Sequence, residues 1–501
     1  MLQFSLFLRI LCLSLVQGEM YRLDPEIETS SVSNCQEIVA SDHDNTALDL
    51  SQAGIVRLKK NFITSSTITH IYLNDNNIWK VEGGAFDGLP NLVHVDLTGN
   101  LINFSELIFG DKIETLILDQ AIRNDEHSFA IFDSNHESCQ ASTFRERNSS
   151  SSNVIELTSD SKFENLEELH LRKNNIESIV LKNADYLGKI MPKIIRLYLN
   201  DNKLTSLDFA KSFPPSLTQL YLNKNKISEF KSSSLFNLQF LTVDGNNIKN
   251  LCGGYQYCVG MSLQGAENLQ IFSVSNNGLE EIEADAFKDL NSLQFLNISH
   301  NNIIKIMKHT FDDLEALIQL NLNHNKLMNF PDICGLKNLK ILSLQSNKIK
   351  AIGKMSFCGV SNIIKLNLSN NLISELDAEA FNSLIALKEL DLSGNKLEAL
   401  PDDWISSKLN LQYLYLNDNF FKSVASLSIS QNTVLEFLFI GGNPFKSINL
   451  KDFPGNTTVD IGRIGAGKSS SSIPRSLFRL SFCFSFSFIY FNFYIYAAIS
   501  L

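Results

Sequence analysis

The segment Gly462-Arg-Ile-Gly-Ala-Gly467-Lys468-Ser469 satisfies the phosphate-cradling pattern G-x-x-x-x-G-K-[ST]. Such a loop aims backbone N–H groups at phosphate. It needs a preceding strand, a following helix and a carboxylate that holds Mg²⁺. Here only 32 residues follow Ser469, beginning Ser-Ser-Ser-Ile-Pro, so the pattern lacks the domain that would make it work. His300 and His324 occupy one turn position in adjacent units of a repeat, where two imidazoles either share a metal or are ordinary surface residues. Cys334 and Cys358 open equivalent segments, Cys-Gly-Leu-Lys-Asn and Cys-Gly-Val-Ser-Asn. Stacked units bring equivalent Cα atoms about 5 Å apart, inside the disulfide range. Cys252 and Cys258 bound a short insertion that reads as a surface loop closed by its own disulfide. There is no C-x-x-C, no H-E-x-x-H and no nucleophile–base–acid arrangement. No catalytic residue, metal or cofactor is expected, and the function must then be binding.

The elements that position these residues are repeats. The template L-x-x-L-x-L-x-x-N-x-L/I begins at Ile68, Leu92, Ile113, Leu166, Ile194, Leu217, Leu238, Leu269, Leu293, Leu317, Leu339, Ile363, Leu387, Leu411 and Leu435. Fourteen of these fifteen copies carry Asn at the ninth position, which marks a leucine-rich repeat. In x-L-x-L-x the leucines point inward and the x residues outward, because side chains alternate along a strand. The ninth-position amide both donates and accepts, so it can satisfy backbone groups where the chain turns into the interior. One unit cannot enclose a core, whereas stacked units share one. The expected fold is therefore an α/β solenoid, a right-handed leucine-rich-repeat horseshoe of about 15–16 repeats with a parallel concave sheet. Phe86, Phe287, Phe311, Phe357 and Phe381 recur at a similar offset before the next strand and should stack as an interior spine. The Ile113 copy has Ala121 in place of Asn, and the next copy starts 53 residues later, which predicts an irregular insertion over 122–165.

The chain ends set the compartment. Leu2–Val16 is almost wholly apolar and is followed by Gln17-Gly18, which reads as a secretory signal over 1–18. The expected order is then an N-terminal cap 19–60, the solenoid 61–446, a flank 447–472 and a hydrophobic tail 473–501. Leu480–Leu501 carries no charge, and three readings of the tail are open. It is a GPI signal with an acceptor among Ser469–Ser472, a terminal transmembrane helix, or translated intron at an unspliced donor after Gly467. The protein is expected to be extracellular and secreted, with plasma-membrane anchoring dependent on a genuine tail. With 43 basic against 54 acidic residues, a net charge of −11 and no long basic run, nucleic-acid binding is not expected.

Outward positions give the candidate ligand surface. His170, Arg172, Arg196, Tyr198, Asn200, Gln219, Tyr221 and Asn223 fall on three successive strands and mix aromatic, basic and amide groups suited to binding hot spots. Tyr413, Tyr415, Phe437 and Phe439 form a second, apolar patch near the end, which meets either a terminal cap or a partner. Between them lie the glycosylation sequons of Asn297 and Asn367; others start at Asn103, Asn148 and Asn456. Occupied, the two central sequons put sugar over the middle and leave both ends for a protein or glycan ligand. Cys35 and Cys139 either pair with each other or leave one thiol for a disulfide-linked partner.

The repeats Ile68–Phe445, the signal, the Phe spine and the single-Cys cap resemble extracellular leucine-rich-repeat proteins, especially the coil-less group of the mosquito leucine-rich immune family. That resemblance implies innate recognition of pathogens, complement-like partners and intermolecular disulfides. Two features depart from it. No heptad run follows Leu450, and the usual Asn-Pro-Trp with Cys-x-Cys is reduced to Asn443-Pro444-Phe445. The resemblance transfers no ligand-binding residue.

Overall fold

The structure is a computed structural model in which residues 46–104, 107, 111–122, 154–158, 163–210, 213–231, 235–253, 258–405, 409–430, 432–455 and 457–462 are described, with the strand Arg22–Leu23. The segment 1–18, Cys35, Cys139, Asn148, Asn456, Gly467-Lys468-Ser469 and the tail 473–501 lie outside the described residues.

Short strands stack in parallel to form one open sheet. They are β1 (Ala47–Asp49), β2 (His70–Tyr72), β3 (His94–Asp96), β4 (Thr115–Ile117), β5 (Glu168–His170) and β6 (Arg196–Tyr198). There follow β7 (Gln219–Tyr221), β8 (Phe240–Thr242), β9 (Ile271–Ser273), β10 (Phe295–Asn297), β11 (Gln319–Asn321) and β12 (Ile341–Ser343). The last five are β13 (Lys365–Asn367), β14 (Glu389–Asp391), β15 (Tyr413–Tyr415), β16 (Phe437–Phe439) and β17 (Thr458–Asp460). Each pairs in register with its neighbours, and among the described residues β1 pairs only with β2 and β17 only with β16, so the described sheet has two ends. This is a leucine-rich-repeat horseshoe.

The fourth- and sixth-position leucines, such as Leu320 and Leu322, are fully buried. The ninth-position asparagines tie coil to coil. Asn371 Nδ2 donates to Leu344 O at 2.9 Å and Leu368 O at 3.0 Å, and its Oδ1 accepts from Ile349 N at 3.1 Å. Asn100 repeats the arrangement. Where Ala121 breaks the series, Asn174 of the next coil accepts from the N–H groups of Ala121 and Ile122 and donates to Leu118 O. The spine phenylalanines are all buried. Phe287 stacks on Phe311 at 5.8 Å and Phe357 on Phe381 at 5.5 Å, and Trp404 continues the row 5.9 Å from Phe381. The convex side carries little helix, in 3-10 turns such as Leu187–Lys189 and Val424–Leu427.

Three features were not in the repeat template. β1 and β17 extend the sheet by one coil at each end, inside the stretches expected as cap and flank. β1 escaped notice because Ala53 stands where its Asn should be. β4 pairs directly with β5 across the insertion after Ile122, and among the described residues the insertion adds no strand to the concave sheet. Its described part, Val154–Thr158, runs parallel to Ser178–Lys182 in a separate two-stranded sheet.

Candidate functional site

The fifth position of each coil, between the two inward leucines, faces the concave side. On β5, β6 and β7 it holds His170, Tyr198 and Tyr221, and the register places them side by side. His170 and Tyr198 have ring centroids 4.1 Å apart, and Tyr198 and Tyr221 stack at 4.6 Å with an interplanar angle of 1°. The Arg172 guanidinium lies 5.3 Å from the Tyr198 centroid, and its Nε donates to Asp119 at 2.7 Å. Arg196 pairs with Glu168 at 2.9 Å. Hydrogen bonding from His170 and the nearby Arg196 charge hold the Glu168 carboxyl below its ordinary range. Both cations expected to meet a ligand are thus already matched by carboxylates of this chain.

Tyr221 is only 4% exposed, and its hydroxyl donates to Gln219 Oε1 at 2.9 Å. Burial pushes the hydroxyl pKa of Tyr198 and Tyr221 upward. Tyr221 closes the ladder from beside Tyr198 and is itself buried, which leaves Tyr198 as the more accessible ring of the two. Asn200 and Asn223 are also engaged structurally. Asn200 Oδ1 accepts from Asn223 N, Asn223 Oδ1 from Asp244 N, and Asp244 Oδ1 from Ser275 N. This second ladder at the seventh position serves the solenoid as the ninth-position amides do, and the one-copy template conceals it because Asp, Asn and Ser alternate there.

Two histidines beside this patch went unread. His70 and His94, at the third position of β2 and β3, stack at 5.2 Å, and Tyr72 lies 5.5 Å from His94. His94 Nε2 is buried and has no hydrogen-bond partner among the described residues. Burial first, then the neighbouring His70, lower its pKa. Reading the outward positions of the first two copies would have found both.

At the other end Tyr413 stacks on Phe437 at 5.4 Å and Tyr415 on Phe439 at 4.5 Å, with all four rings half-buried. β17 covers the edge of β16, and Phe453 is buried while Val459 and Ile461 pack on the core, yet the concave side of the four rings stays uncovered by described residues.

Other candidate residues fall away from these ends. Cys252 and Cys258 have Cα atoms 5.8 Å apart, and Cys334 and Cys358 5.0 Å apart, separations that suit disulfides. Asp332 lies close to Cys334 and Cys358, in a recess also lined by His309, Asp312 and Glu315. His300 and His324 stack at 4.2 Å. Both have φ of 54°, and the eighth position is left-handed in coil after coil, as at Asp201, Asn276, Asn370 and Gly394. Their approach is set by that turn, and no third potential metal ligand joins them among the described residues. Asn103, Asn297 and Asn367 are half-buried. No described helix is long and apolar enough to cross a membrane.

A leucine-rich-repeat family model matches residues 46–106, 267–327, 337–397 and 385–445, so the chain carries the repeats by sequence as well as by geometry. No curated protein sequence matches it. Among solved structures, the Toll–Spatzle complex of Drosophila holds a chain that is 16% identical with a TM-score of 0.56; the match covers 78% of this chain and 54% of that one. This chain therefore spans about half of that relative. A leucine-rich-repeat protein of Leptospira interrogans is 20% identical, with a TM-score of 0.49 and coverages of 79% and 90%. An internalin of Listeria monocytogenes is 18% identical, with a TM-score of 0.46 and coverages of 79% and 87%.

Proposed function

We propose that this chain is a secreted or surface-anchored, non-enzymatic recognition protein that holds protein or pathogen-surface ligands on its concave sheet, in the service of innate immunity. The observation that carries this reading is the pair of aromatic ladders, on β5–β7 and β15–β16, that stand on either side of the middle of an open sheet. Half-exposed Tyr and Phe rings beside hydrogen-bonding groups are the side chains that dominate binding energies. The neighbouring Arg–carboxylate pairs hold Tyr198 rigidly, which lowers the entropy cost of binding. The fold's relative in the Toll–Spatzle complex belongs to a hub of development and innate immunity. The secretory segment 1–18 directs this chain outward, and the status of the tail 473–501 sets free or anchored form. The disulfides Cys252–Cys258 and Cys334–Cys358 fit that compartment. Cys35 or Cys139 supplies the link to a second chain.

The test is sedimentation of the secreted full chain with intact bacteria. Retention, reduced about tenfold by Tyr198→Ala or Phe439→Ala in folded protein, is the expected result. A chain that stays in the supernatant, or is retained equally by both variants, contradicts the reading.

A further inference from the structure

The fifth-position row changes character in the middle of the sheet. From Tyr221 it passes through Thr242, Ser273, Asn297, Asn321, Ser343, Asn367 and Asp391 to Tyr415 and Phe439, each residue in register with the next. Six consecutive strands, β8–β13, therefore present small hydroxyl or amide side chains, between the Tyr221 ring on β7 and the Asp391 carboxylate on β14, with rings resuming at Tyr415 on β15. The strip is about 24 Å long at ~4.8 Å per strand. Along one side, at the third position, run the half-exposed apolar residues Phe240, Phe295 and Ile341.

Two observations identify what the strip accommodates. Thr242 and Ser343 are 5% and 3% exposed, yet their hydroxyl oxygens have no hydrogen-bond partner among the described residues. Buried polar groups are nearly always paired, and both hydroxyls belong to the fifth-position row, where a polar group settling over the strip would pair them. The other observation is that two members of the row are themselves sequon asparagines, and one of them, Asn367, neighbours Ser343 directly. Their amides are already oriented. Asn297 Oδ1 accepts from Ser299 N at 3.2 Å, and Asn367 Oδ1 accepts from Ser369 N at 2.9 Å. Asn297 Nδ2 spends one hydrogen on Ser273 Oγ at 3.0 Å, and the second is the one a sugar replaces. The hydrogen bonds of the Asn367 side chain among the described residues run through Oδ1, which accepts from Ser369 N and Oγ. Fixing each amide plane fixes the direction of the bond to sugar.

We propose that the middle of the concave sheet is a carbohydrate bed: the N-linked glycans of Asn297 and Asn367 lie along the strip Thr242–Asn367, hydrogen-bonded to its hydroxyls, with their C–H faces against Phe240, Phe295 and Ile341. Sugars match such a surface, having hydroxyls for the floor and C–H groups for weak contacts with the aromatic rail. This rests on the secretory reading, because N-glycans are added to chains that enter that route. Its consequence is that a ligand meets two separate binding ends and never a continuous face.

The test uses the full chain secreted from insect cells. Glycopeptide mass spectrometry reads occupancy, and hydroxyl-radical footprinting follows side-chain accessibility before and after enzymatic removal of glycans from the folded protein. Occupancy at Asn297 and Asn367, with several-fold greater labelling of Phe240, Phe295 and Ile341 after removal and no change at Tyr198 or Phe439, is expected. Asn297 and Asn367 bare while Asn103 carries sugar overturns the bed and leaves the secretory reading intact. Occupied sites without a change in labelling also overturn it. A chain bare at every sequon overturns the bed, and a chain that never reaches the medium overturns the secretory reading.

Discussion

Tyr198 and Tyr221 stack in parallel with centroids 4.6 Å apart, and the two have opposite duties: Tyr221 is buried, whereas Tyr198 is half-exposed on the concave side. Replacing each by Ala should separate them. Tyr221→Ala empties a filled site and should cost about 3 kcal/mol of stability. Tyr198→Ala forfeits ring contacts with His170 and Tyr221, about 1 kcal/mol each, and its main effect should be lost ligand retention. Thermal unfolding alongside cell sedimentation checks this; equal destabilisation by both contradicts it.

The Asn ladder makes a sharper stability prediction. Asn371→Ala leaves Ile349 N–H and the carbonyls of Leu344 and Leu368 without their amide partner inside the solenoid. The expected loss is on the order of 3 kcal/mol, well above a typical surface substitution. Hydrogen exchange at the Ile349 amide should accelerate more than at amides several coils away, because each coil contacts only its neighbours. Uniform acceleration along the chain would show that coupling is not local.

Cys334 and Cys358 sit in adjacent coils, 24 positions apart in sequence. A disulfide closing such a loop should contribute about 3 kcal/mol. The double change Cys334→Ala with Cys358→Ala should lower the unfolding midpoint accordingly, and thiol titration of the native protein should find neither sulfur free. Both thiols reacting in unreduced protein refutes the pair.

The His70–His94 stack gives the N-terminal end a pH response. Burial lowers the His94 pKa below 6.5, so the unfolded chain takes up a proton there before the folded one does. Stability from this group is complete above the unfolded value and is lost as pH falls through the window between the unfolded and folded values. His324, also lowered by burial and by His300, acts in the same direction. His94→Gln should flatten the fall of the unfolding midpoint on mild acidification. An unaltered profile would place the response elsewhere.

The repeats were legible because the concave strand demands the same few residue types in every coil: paired leucines inside and one amide at the turn. Positions where several chemistries serve equally were not. Ala53 and Ala121 dispense with the Asn, which hid β1 and weakened the Ile113 copy. The seventh-position ladder uses Asp119, Asn200, Asn223 and Asp244 interchangeably, so it read as ligand-binding polarity. Outward direction was predictable for Tyr221, but its burial was not, since cover comes from side chains on neighbouring strands. The same limit applied to Arg172 and Arg196, whose carboxylate partners, Asp119 and Glu168, belong to the preceding coils.

Small-angle X-ray scattering of the full chain tests most directly whether stacked coils create the open concave surface. Sixteen steps of ~4.8 Å between β1 and β17 give a concave arc of about 77 Å, and the distance distribution should be that of a curved, elongated body. A symmetric distribution with the dimensions of a compact 501-residue globule would contradict it.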